Sequence, residues 1–228
     1  GQDASFCDDG SERYVTHRAT SIEAFDAARQ RQYTCITAIT FGKRAFMFPL
    51  GHVAYTWAAL TWLQDHGRAQ EIDYRGAALA SMLPDLVDKP LSLTLLSESG
   101  TSQGLSHTLA GQVLLTLAVG RIKPEWLPYA LISSSHLAAD QIWKYPRTLF
   151  FPFSGQLDSW KFMGTPAAML SAYAEIATRP AIVAVELLGV ALMGWVVRKG
   201  RLHTKEGLRR LLASGGLRSR EVQRSCAS

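Results

Sequence analysis

The chain has 228 residues, 47% of them hydrophobic and only 19% charged, with a mean hydropathy near zero. That balance excludes wholesale disorder, a collagen-like repeat and a disulfide-stapled miniprotein; the three cysteines, Cys7, Cys35 and Cys226, form neither a CxxC nor a metal-ligand spacing. The net charge of +5 is unevenly placed, because residues 198–224 hold nine Lys/Arg against two Glu, +7, which leaves −2 for the rest.

Residues 1–44 carry mixed charge, no apolar run and no signal-peptide core, and the first Met is Met47. The stretch reads as a polar extension upstream of the domain, from an over-extended reading frame or as a functional addition. Ala45 to Leu63 is an apolar run of spanning length with His52 as its only strongly polar residue. Gly76 to Leu83, Thr108 to Gly120 and Leu127 to Ala139 are shorter and suit buried or half-membrane helices. Pro84 is expected to fix a helix start just before Asp85. Trp143 to Phe162 cannot form one continuous helix, since Pro146 and Pro152 remove backbone donors; its Trp and Tyr suit the headgroup level. Pro180 to Val197 is the cleanest spanning run. Its one charge is Glu186, and Arg198, Lys199 and Arg201 follow at once, the pattern of a helix stopped at the cytoplasmic interface.

These elements predict an all-α, multi-helix integral membrane bundle over 45–200, followed by a basic cytoplasmic tail over 201–228. Charged and imidazole groups in such apolar sequence are costly unless they face water, pair or bind something. His52, Asp85, Asp88, His107, His136 and Asp140 are of this kind and sit on four separate segments. His136-Leu-Ala-Ala-Asp140 is the sharpest local signal, because a spacing of four puts both side chains on one helix face within chelating reach. Neutral imidazole and carboxylate suit zinc, and also iron or manganese. Each residue has a bland alternative: a hydrogen-bonded pair for His136 and Asp140, a helix-start acid for Asp85, a backbone-satisfied imidazole for His107 and a core histidine for His52. Taken together they point to a shared metal site between helices. Asp88 could orient a ligand, hold a second metal or act as a general base, and Lys89 could meet a phosphate or simply snorkel.

The succession Gly51-His52, Leu83-Pro84-Asp85, Ser106-His107-Thr108-Leu109, His136-Leu137-Ala138-Ala139-Asp140 and Phe151-Pro152-Phe153 resembles the membrane-bound metal-dependent hydrolases, described as LexA-binding and inner-membrane-associated. It is more distantly similar to zinc-dependent phospholipase C and related nucleases, but lacks their later histidine cluster, since no histidine follows Asp140 until His203. The resemblance implies a hydrolase with His52, Asp85, His107, His136 and Asp140 as ligands to one or two ions. It also implies an inner-membrane location and, by its name alone, a LexA-type partner.

Three functions compete at this point. A multi-pass metal-dependent hydrolase would act on a phosphoester or lipid-linked substrate through metal-activated water, with Asp88 in its catalytic machinery. A transporter or other non-enzymatic membrane protein would use the same His and Asp groups, with Glu186 as an added relay. An interaction protein would bind anionic lipid or nucleic acid through the basic tail; positive-inside anchoring explains those charges without nucleic acid, and no aromatic residue interleaves them.

Overall fold

Proline and capping side chains decide where the helices of this chain begin. The computed structural model describes residues 47–94, 101, 103–157 and 166–217, and among these the regular structure is helical throughout. The helices are α1 (Pro49–Asp65), α2 (Tyr74–Leu93), α3 (Leu109–Ile122), α4 (Leu127–Ala139), α5 (Pro146–Leu149), α6 (Pro166–Ala177), α7 (Pro180–Lys199) and α8 (Lys205–Ser214), with short 3-10 turns at Leu105–His107, Pro124–Trp126 and Ile142–Lys144. Pro49, Pro146 and Pro180 open their helices where a missing N–H costs nothing. Asp73, Thr108 and Thr204 cap α2, α3 and α8 by accepting backbone N–H groups of the first turn.

α1 and α7 pack side by side and run in the same direction. At one end the Phe48 N–H donates to Glu186 Oε1 at 2.7 Å; further along, the Tyr55 hydroxyl donates to the Val185 carbonyl at 2.9 Å, and Lys199 pairs with Asp65 at the other end. Gly51 and Gly189 permit the close approach, since a Cβ on Gly189 would lie 3.6 Å from the Gly51 Cα. α2 runs back along α1: its first residue, Tyr74, meets Thr61 and Trp57, and its far end approaches Tyr173 and Phe48 through Lys89. α4 lies along α2, with Ala77, Ala80 and Ile132 in one apolar cluster, and α3 pairs with α4 through Gln112 and Ser134.

Two expectations about these elements need correction. Pro84 does not start a helix; it lies inside α2 together with Pro90. Tyr74, Ala77, Ser81, Asp85, Asp88 and Ser92 are buried at steps of three or four with Pro84 beside Asp85, so one packed face runs past the proline and holds the helix together despite the lost donor. Of the two expected spanning helices, α1 is 17 residues and begins only at Pro49; among the described residues Pro180–Lys199 alone is long and apolar enough to cross a membrane. Only 17% of its most apolar stretch is buried, unlike the core helix of a soluble protein. As far as Leu217 the basic segment after 201 packs on the bundle, with Leu211 and Leu217 joining Ala58, Tyr74 and Val196 in the core. The 143–157 part of the aromatic stretch is broken into short turns as expected, and its remainder lies outside the described residues.

The bundle is inverted in polarity. Leu79, Leu86, Leu114, Leu117, Leu131 and Leu187 are each more than half exposed, whereas His52, Asp85, Asp88, His107, His136 and Asp140 are buried. Water would not favour that distribution, and a hydrocarbon surround would.

Asp73 ties α2 to α8, since it accepts from Arg75, whose guanidinium also donates to the Leu212 carbonyl. The bonds from Arg75 hold the Asp73 carboxyl below its ordinary pKa. Asp73→Ala is expected to cost about 1 kcal/mol of thermal stability in detergent, and Asp73→Asn much less. Because the folded-state pKa is depressed, the ionic part of this stabilisation is present at neutral pH and lost as pH falls below the usual carboxylate value of about 3.9; melting curves across that range check the sign.

Candidate metal centre

Four segments deliver side chains to one buried point. α1 brings His52 from its first turn, α2 brings Asp85 from mid-helix, the 3-10 turn after Gly104 brings His107, and the end of α4 brings His136 and Asp140. One donor atom from each of Asp85, His107, His136 and Asp140 lies within 4.8 Å of the others, and all four residues are buried.

The separations follow a pattern. His107 Nε2 is 3.5 Å from Asp85 Oδ1 and 3.7 Å from Asp140 Oδ2; His136 Nε2 is 3.7 Å from Asp85 Oδ1 and 3.4 Å from Asp140 Oδ2. Donors held tetrahedrally at about 2.1 Å from one zinc ion stand about 3.4 Å apart, so a single ion fits the space between them. His52 is outside this group of four and approaches it through the other Asp140 oxygen, with its Nε2 3.2 Å from Oδ1. Its ring stacks on His136 at 4.0 Å between centroids.

Hydrogen bonding also prepares the imidazoles. His136 Nδ1 lies 2.7 Å from the Ser81 carbonyl, and His107 Nδ1 lies 2.7 Å from Asp88 Oδ2. Both partners only accept, so each Nδ1 carries the hydrogen and each Nε2 turns a lone pair toward the centre. Those Nε2 atoms, His52 Nε2 and both oxygens of Asp140 are buried without any hydrogen-bond partner among the described residues. Orphaned polar atoms are expensive singly. Here they face one another, an arrangement that a bound cation would satisfy.

Charge gives the same answer. Asp85, Asp88 and Asp140 bring three carboxylates to the cluster, against the one ammonium of Lys89, whose Nζ is 2.5 Å from Asp85 Oδ2. With neutral imidazoles two negative charges are left over, the complement of a divalent cation.

Asp88, expected to be catalytic, sits behind His107 rather than at the centre. Its Oδ2 accepts from the Gly104 and His107 N–H groups at 2.8 and 3.2 Å, and its Oδ1 from Ser106 N–H at 3.3 Å. A Cβ on Gly104 would come to 3.0 Å from Asp88 Oδ1, so glycine leaves room for the carboxylate. Sequence reasoning did not single out Ser81, Gly104 or Tyr173. Gly104, three residues before His107, carried a faint signal; the Ser81 carbonyl and the distant Tyr173 carried none. Glu186 lies at the start of α1, where its carboxylate meets Phe48 N–H.

An apolar-surfaced helical bundle with, among the described residues, one helix long and apolar enough to span and a buried His/Asp cluster describes a membrane protein with a candidate metal centre. The chain belongs to the YdjM inner membrane protein family, which matches residues 47–202, more than half of its length and all of the cluster. No curated protein and no solved structure matches it. Membership carries the inner-membrane part of the sequence resemblance and does not speak of hydrolysis, LexA or phospholipase C.

Detergent-purified protein is expected to hold a divalent metal in stoichiometric amount, with His136→Ala and Asp140→Ala both losing it; elemental analysis checks this. Asp88→Asn offers one acceptor oxygen where the wild type uses two. Its metal affinity is expected to fall 10- to 100-fold, measured by competition with a chelator.

Proposed function

We propose that this protein is an integral-membrane metal-dependent hydrolase that cleaves a lipid-borne phosphoester with metal-activated water. The observation that carries the reading is the convergence of unpartnered His52, His107, His136 and Asp140 atoms on one buried point with Asp85. The donor set suits zinc first, and iron or manganese by the same chemistry. His107, His136, Asp85 and Asp140 would hold a divalent cation, which would supply Lewis-acid polarisation of a phosphoryl oxygen and activation of water, whose pKa it would lower from 15.7 to about 7.

The chain's own residues have separable tasks. His107, His136, Asp85 and Asp140 form the binding set, with His52 at its edge against the second Asp140 oxygen. Asp88 is a positioning residue: it fixes the tautomer and direction of His107 while anchoring the turn that carries it. Lys89 touches Asp85 Oδ2, whereas Oδ1 is the oxygen that faces the histidines, and its side chain is 19% exposed. It stands where a phosphoryl group approaching the centre meets a cation. The exposed leucines of α2, α3 and α4 support immersion of the helices around the cluster, and with it a lipid-borne substrate.

A transporter would use the same His and Asp groups with Glu186 as an added relay; the engagement of Glu186 with Phe48 N–H gives that carboxylate a capping task instead, which supports hydrolysis.

Zinc-loaded protein in mixed micelles is expected to hydrolyse a phosphomonoester or phosphodiester lipid, and His107→Ala to abolish turnover. Lys89→Ala is expected to raise KM about tenfold, the equivalent of one charged hydrogen bond, with a smaller effect on kcat. Absence of phosphoester hydrolysis with zinc, iron and manganese alike, or activity that survives His107→Ala, would overturn the reading.

A further inference from the structure

The parallel packing of α1 against α7 lets the depth of the cluster be read from the spanning helix. Phe48 meets Glu186, Gly51 lies against Glu186 and Gly189, and Asp65 pairs with Lys199. His52 follows Gly51 and is thus level with positions 186 to 189 of α7. At 1.5 Å per residue that level is about 9–13 Å from the Pro180 end and about 15–20 Å from the Lys199 end.

The two ends differ in character. The Lys199 end is an interface of basic and aromatic groups: Arg68 sits over the Trp62 ring at 5.7 Å, Lys199 over the Trp195 ring at 5.2 Å, and both tryptophans are exposed. α8 adds Lys205 and Arg209 beside the exposed Leu208 and Leu212, an amphipathic strip suited to an anionic leaflet. Lys and Arg gathered beside a span mark its cytoplasmic end.

Between that end and the cluster lies an apolar plug of Ala58, Tyr74, Val196, Leu211 and Leu217, continued by Ala77, Ala80 and Ile132. On the other side the chemistry is polar. One turn beyond Asp85, away from Tyr74, comes the partly exposed Lys89, which lies 5.5 Å from the Tyr173 ring, and Tyr173 in turn meets Phe48 at the start of α1.

We propose that the metal centre opens through Lys89 and Tyr173 toward the Pro180 end of the bundle, on the face opposite the basic tail, so that its phosphoester arrives from the non-cytoplasmic side. The nature of what enters rests on the hydrolase reading, whereas the direction of access is independent of turnover.

The test uses single cysteines in the full chain with Cys7, Cys35 and Cys226 replaced by serine. Thr178→Cys reports the loop before α7, His203→Cys the turn after it, and Lys89→Cys the approach to the centre; each is treated with a membrane-impermeant thiol reagent in intact spheroplasts and in inverted vesicles. Thr178→Cys and Lys89→Cys are expected to label in spheroplasts and lose the label in inverted vesicles, and His203→Cys to do the reverse. Labelling of Lys89→Cys from the same side as His203→Cys, or from neither side, overturns the proposal, as does labelling of Thr178→Cys and His203→Cys from one side. Metal content of the serine-replaced parent in the same membranes is read separately. Retained metal with the opposite labelling overturns the direction of access alone, and expected labelling without metal supports the direction while counting against the hydrolase reading.

Discussion

Three carboxylates buried around a single ammonium form the constraint on which the rest of this molecule depends. Asp85, Asp88 and Asp140 are each at most 4% exposed, and Lys89 is the cation in contact with them among the described residues. Such an imbalance in a low-dielectric interior is tolerable only if positive charge is supplied to it. The three histidines around it can receive a proton or share a metal. The tautomers imposed by Ser81 and Asp88 turn the lone pairs of His136 and His107 inward, which favours the metal.

The scaffold serves this arrangement by putting polar groups on the inside and leaving leucine on the outside. α2 is the central element: one continuous face carries Tyr74 and Ala77 into the apolar plug, then Asp85 and Asp88 into the cluster. The face survives Pro84 and Pro90 because packing along it replaces what the missing donors cost. α1 is held to α7 by Glu186 at one end and Asp65 at the other, which fixes the height of His52. Glu186 is therefore an acid in a spanning helix with a local task, satisfying the backbone of the helix beside it.

Inner-membrane membership and an inverted bundle agree with each other and leave the chemistry to the cluster. A site between helices, closed on one side by packed apolar side chains and bordered on the other by Lys89 and Tyr173, has a direction as well as a composition. The proposed direction of access matters for the proposed hydrolysis, because the two leaflets of a bilayer present different lipids.

The sequence by itself determined the helical class, the apolar run of α7 with its basic stop, and the residue types of the cluster, because these depend on local periodicity, on composition and on the spacing of His136 and Asp140 along one helix. His52, Asp85 and His107 were legible as costly polar groups in apolar sequence, though their convergence was not, since residues more than 20 positions apart along the chain carry no local signal of distance in space. Tertiary structure decided the continuity of α2 through its prolines, the place of Asp88 behind His107 and the capping task of Glu186. Each depends on a partner far along the chain: α4 packed on α2, the Gly104 turn folded onto Asp88, and Phe48 brought to α7. The register between α1 and α7, from which the proposed direction of access is argued, belongs to the same class, because no local pattern encodes it.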